Sequence, residues 1–222
     1  MKQTDEDLEW FLEQFGPPTA SEAASDEVIR KFRGKLPDQL LTYWQELGFC
    51  GFKNGLFWLV NPDDYEAELE AWLGDTEVVE QDAYYVIARS GFGRLFLWGT
   101  KTGYKYHVDP TQGWIYGEDR HTAEISLGKQ DECLRRFLSG TNPKAIDMKG
   151  DDKQPLFDRA ASKLGPLAAD EVFAFEPALV AGGSAKLGNI TKRNIHVHLT
   201  VLAQLSHREI LDREALTRKA FG

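Results

Sequence analysis

Cysteine is nearly absent from this chain: Cys50 and Cys133 are its only two. They are too few and too far apart for a disulfide framework or a zinc knuckle. A reduced compartment is the simplest reading. No apolar run approaches the roughly 20 residues that a membrane helix needs. The acidic start M-K-Q-T-D-E-D-L-E-W lacks the apolar core of an export signal. A soluble, cytoplasmic protein is expected, with no membrane partner. Internal repeats and low-complexity tracts are missing. The marks of common catalytic sites are missing too. There is no G-x-S-x-G element, and neither cysteine stands in a nucleophile motif. Gly91-Phe92-Gly93 has no helix after it, and Gly182-Gly183 lacks a P-loop lysine. Cys50 reads as a small core residue. No catalytic residue is assigned, and no enzyme is expected.

The absence with the most content is of positive charge. Residues 61–82 contain nine Asp or Glu and no Lys or Arg: Asp63, Asp64, Glu66, Glu68, Glu70, Asp75, Glu77, Glu80 and Asp82. The whole 222-residue chain carries a formal net charge of −9. Through Gly140 there are 14 basic against 25 acidic residues, a balance of −11; the remainder has 12 against 10, a balance of +2. An acidic first portion repels phosphates, which argues against nucleic acid as the direct ligand. It suits a basic protein partner. The competing reading is a merely solvated surface. Asp63 and Asp64, just after Pro62, stand where carboxylates favour the first turn of a helix, so they are not read as an acid–base pair.

Against these absences stands an aromatic-rich, otherwise ordinary globular composition, 42% apolar and 27% charged, which is enough for a real core. Residues 51–82 are its organising stretch. Leu56, Phe57, Trp58, Leu59 and Val60 read as a buried strand, which Asn61-Pro62 stops. A helix then follows, with Tyr65, Leu69, Trp72 and Leu73 on its apolar face. Three helices are expected before this stretch. The first is capped by Thr4 or Asp5 and ended by Gly16-Pro17-Pro18; the second is capped by Ser25; the third is opened by Pro37 and closed by Gly48. After it, residues 84–88, 94–98, 104–108 and 114–116 read as successive antiparallel strands, and 130–138 as a helix. The expected fold class is α+β. An antiparallel sheet of about four to six strands is flanked by helices, with a smaller α/β C-terminal portion packed on it.

Residues 141–152 are polar and contain Pro143 and Gly150, which makes them a candidate linker between domains at 1–140 and 153–222. In the latter, 155–164 reads as a helix and 171–175 as a strand. Residues 195–205 read as strand or helix, since periodicity does not separate the two, and 209–221 as a surface helix. If 195–205 is a strand, His196 and His198 share a face and could ligate a metal with His107, His121 or His207. No third ligand lies at a diagnostic spacing, so hydrogen-bonded core histidines are the simpler account, and no metal or cofactor is assigned.

Two sets of motifs carry a resemblance. F-W-L-V-N-P-D-D-Y (57–65) followed by G-F-G-R-L-F-L-W (91–98) resembles the GAD-like domain of bacterial proteins. P-L-F-D-R-A (155–160), L-G-P-L (164–167), F-E-P-A-L-V-A-G-G (175–183) and H-L-T-V-L-A-Q-L (198–205) resemble the domain that often follows it. The tandem is similar to immunity proteins of type VI secretion DNase effectors. That resemblance implies a protein that acts in bacterial competition by binding a cognate DNase toxin, through its basic nuclease domain, and blocking it. It supplies no active site and no cofactor. The nine acidic residues of 61–82 are the candidate contact surface. A SUKH-like regulatory or scaffold module without a toxin partner is the alternative. A metal-dependent enzyme using His196 and His198 is the third, and remotest, reading.

Overall fold

The computed structural model describes residues 5–213, 215, 217 and 218. Its first half follows the local signals closely. Asp5 caps α1 (Glu6–Phe15), its carboxylate accepting from the Leu8 amide at 3.2 Å, and Phe11 and Phe15 are buried. Thr4, the other cap considered, lies outside the described residues. A short strand, β1 (Thr19–Glu22), leads to α2 (Asp26–Phe32), capped by Ser25. Pro37 opens α3 (Asp38–Leu47), which buries Leu40, Leu41, Tyr43 and Trp44. Next come β2 (Phe49–Phe52) and β3 (Phe57–Leu59). The acidic segment is less continuous than expected. Pro62–Tyr65 forms a 3-10 turn, α4 (Glu66–Leu73) carries the helix, and α5 (Val78–Gln81) is a single further turn.

The sheet continues through β4 (Tyr84–Ser90), β5 (Leu95–Gly99), β6 (Gly103–Asp109) and β7 (Trp114–Gly117). Helices α6 (Thr122–Ser126), α7 (Gln130–Gly140), α8 (Pro143–Ile146) and α9 (Phe157–Leu164) follow. A hairpin of β8 (Glu171–Phe175) and β9 (Ile190–Asn194) forms a second small sheet. Helix α10 (Ile195–Leu205) and β10 (Glu209–Leu211) complete the described elements.

The main sheet has eight strands in the order β1-β2-β3-β4-β5-β6-β7-β10, antiparallel except for the parallel β10–β7 pair. Four to six strands were expected. The extra strands are edge or near-edge pieces of only three or four residues, β1, β2 and β10. Those are too short to show an alternation, and β1 is exposed at every position. Residues 209–211, expected to be helical, pair instead with 114–116 and bury Leu211. The remainder of that expected helix lies partly outside the described residues. The C-terminal hairpin is fused to the main core. Phe92, in the β4–β5 turn, packs against Phe157, Phe173 and Phe175 at centroid distances of 6.1, 6.1 and 5.9 Å. The Phe173 amide donates to Gly91 O at 2.9 Å.

Candidate partner-binding surface

The nine acidic side chains of the Asn61–Asp82 stretch divide into engaged and unengaged sets. Asn61 caps the 3-10 turn, accepting from the Asp63 amide at 3.3 Å. Asp63 pairs with Lys31 at 2.5 Å, and Glu66 lies 3.6 Å from the same ammonium. The Asp63 hydrogen bond holds the Lys31 ammonium above its usual range. Asp75 takes a two-pronged contact from Arg208, Nη1–Oδ1 2.6 Å and Nη2–Oδ2 2.6 Å, which lowers its carboxyl from the ordinary value. Two members are not surface residues at all. Glu68 is 4% exposed and Asp82 7%. Glu68 faces α10, where His196 Nδ1 stands 3.0 Å from its Oε1, while its Oε2 is buried without a partner. Asp82 is locked into the β5–β6 turn by Thr100, Lys101 and Thr102. These two are corrected as contact residues in this conformation. Apolar neighbours at Leu69 and Trp72 place Glu68 on the inward side of α4, and a tight turn claims Asp82.

Asp64, Glu70, Glu77 and Glu80 remain exposed with no ion-pair partner among the described residues, and Glu66 is largely open. Glu66 and Glu70 rim a groove of about 330 Å³ whose apolar side is supplied by Leu69, Leu73, Val79 and Tyr85. On the other side of the same turn and helix, Asp64 and Tyr65 open into a second cleft of about 350 Å³, completed by Glu22, Asp170 and His196. Sequence reading missed Glu22 and Asp170. They stand 42 positions before and 106 after Asp64, and no local pattern marks either.

The two histidines considered together do not act together. Residues 195–205 form a helix, so positions two apart point to different sides. His196 turns to Glu68 and Tyr65. His198 lines an apolar groove with Ala174, Val197 and Val201, and burial lowers its imidazole to about 4. Among the described residues one set has ligand atoms close enough for a metal: His121, Glu124 and Cys133, within 4.8 Å of one another. Arg136 already occupies that ground, 2.5 Å from Glu124 Oε2 and 3.3 Å from Cys133 Sγ. Both thiols are buried. Burial pushes the Cys50 thiol up to about 12 and raises that of Cys133, which removes the thiolate a nucleophile needs.

The GAD-like domain family matches residues 6–111, and the family described as T6SS immunity protein Tdi1, C-terminal, matches residues 131–206. Among curated proteins none matches the chain. Among solved structures, the crystal structure of Atu4351 from Agrobacterium tumefaciens is similar in fold, with a TM-score of 0.81 at 19% identity over 93% of this chain and 92% of that one. These two consecutive matches give the chain the architecture of a GAD-like domain followed by a domain of the T6SS immunity protein Tdi1 C-terminal family.

Proposed function

We propose that this protein binds a cognate antibacterial DNase toxin of a type VI secretion system and neutralises it by direct contact, acting in the cytoplasm as an inhibitor rather than an enzyme. The observation that carries this reading is the match of residues 131–206 to the T6SS immunity family. The surface supports it. A DNA-cleaving domain needs a cationic face for phosphates, and a largely open acidic face on its inhibitor steers association and competes for that face. Glu66, Glu70, Glu77 and Glu80 form the contact set on this face, while Asp64 opens into the cleft on the other side of the turn. Asp63 and Asp75 lie at its edge, already shared with Lys31 and Arg208.

Co-expression with a toxin encoded beside this gene is the test. Rescue of growth, intact genomic DNA and co-purification are expected. A toxin that still kills and does not co-purify would contradict the proposal. Reversal of Glu66, Glu70, Glu77 and Glu80 to Lys, with folding checked by circular dichroism, should slow association about tenfold or more at low salt. An unchanged on-rate removes this face from the interface.

A further inference from the structure

We infer that the cleft where the two family segments meet is a receptor for one long cationic side chain, an arginine or a lysine, projected by the toxin partner. The inference rests on the toxin-binding reading above and adds the place where a single anchoring residue enters. The cleft is built jointly. Glu22, Phe49, Trp58 and Asp64 come from the GAD-like segment, and Asp170 and His196 from the immunity-family segment. Clefts between packed units are favoured sites for recognition.

Three observations point to the occupant. The first is unanswered charge. Glu22, Asp64 and Asp170 are exposed at the cleft, and none has an ion-pair cation among the described residues. Among the described residues the side-chain hydrogen-bond donors to Asp64 and Asp170 are amides, Asn61 Nδ2 at 3.4 Å and Asn194 Nδ2 at 3.5 Å. Burial, reinforced by Glu22, Asp63 and Glu68, raises the Asp64 carboxyl above its usual range despite the opposing pull of His196. Carboxylates crowded in this way are short of a cation.

The second is a buried defect one residue removed from the cleft. His196, which lines it, is held by Glu68, and the second oxygen of that nine-tenths-buried carboxylate has no partner. An orphaned buried acceptor is costly, and a cation arriving beside His196 relieves it electrostatically. The cation already present does not suffice. Arg89 is wholly buried below the cleft, 4.7 Å from the Trp58 ring centroid, and its Nη2 donates to Ala169 O at 2.7 Å. Of the carboxylates around the cleft, Asp170 is the one that acts on this guanidinium, which Tyr65 also holds.

The third is shape. Val28, Phe49, Leu59 and Val60 give the cleft an apolar wall beside its charged rim. A side chain with an aliphatic stem and a charged head matches both surfaces at once, as a metal ion or small inorganic cation does not.

The test uses the full chain and the variant Asp64→Asn/Asp170→Asn, which keeps side-chain shape at two exposed positions. Titration with N-acetyl-arginine amide, followed by NMR at the Trp58 indole and the His196 ring, should give saturable shifts in the millimolar range. N-acetyl-citrulline amide, of the same length and uncharged, should give none, and the double variant should lose the response. Against the toxin, the double variant should bind about tenfold or more weakly. The absence of a saturable arginine response overturns the inference, and so does unaltered toxin affinity of the double variant where the native protein binds. If the native protein binds no toxin, the functional reading fails by itself, and the arginine titration still decides the cleft.

Discussion

Asp82 and Glu68 were indistinguishable as letters in an acidic run, and packing gives them opposite fates. Asp82 accepts from the Ala83, Lys101 and Thr102 amides and from the Thr100 and Thr102 hydroxyls, at 2.7–2.9 Å. Gly99 lets the chain close over it, since a Cβ there would lie 2.4 Å from Asp82 Oδ2. Burial alone would raise this carboxyl, but the donors from Thr100, Lys101 and Thr102 together hold it below the ordinary value. A lowered folded-state value means stability that is present above the unfolded value, near pH 4, and lost as pH falls through the folded one. Asp82→Asn turns an amide donor toward this cluster of donors. It should cost about 2–4 kcal/mol at neutral pH. The gap from native protein should narrow below about pH 4 in urea denaturation series. A gap that stays constant into acid would mean Asp82 is not held ionised by this turn.

Among elements, legibility followed length and capping. The strands from β4 to β7 and the helices α1 to α3 were readable because aromatic and β-branched runs, Asp5, Ser25 and Gly48 are local signals. Short edge strands were not readable, because three or four residues paired by tertiary contact leave no period. Residues 195–205 show the limit most clearly. The alternation at His196 and His198 pulled toward strand, yet Asn194 settles the matter by accepting from both the His196 and Val197 amides at 3.2 Å. That cap was visible in the sequence and outweighs a brief alternation, since it satisfies orphan amides that a strand would have to pair elsewhere. Asn194→Ala should destabilise the protein by about 1 kcal/mol, lowering its melting temperature by about 2–4 °C. Asn194→Ser, which keeps a capping oxygen, should recover most of the loss. Equal losses in the two variants would show that the cap is not what holds α10.

At the scale of the molecule, what the sequence could not display is how one segment closes the other. The candidate cleft depends on this closure, because Asp64 and Asp170 meet only when the two family segments pack. The contacts that join them are central ones. Trp72 Nε1 donates to Leu199 O at 3.2 Å, and the Leu167 amide to Asn54 O at 3.1 Å. Just past the second segment, Arg208 Nη1 donates to Ala71 O at 2.9 Å, and one buried apolar cluster runs from Phe11 to Ala203. Neither segment can leave without exposing Phe92, Phe157 and Phe173 and stranding these groups, each a multi-kcal/mol loss. Unfolding should therefore be a single cooperative event, with calorimetric and van't Hoff enthalpies equal. Gly91 lies on the seam, where a Cβ would be 2.3 Å from the Phe157 ring and 2.8 Å from Gly55 O. Gly91→Ala should then lower the melting temperature of the whole chain as one transition, at a cost of about 1–3 kcal/mol for overpacking. A variant that melts in two steps, the GAD-like segment unshifted and the C-terminal segment early, would mean that the segments fold separately and that the cleft between them is adjustable.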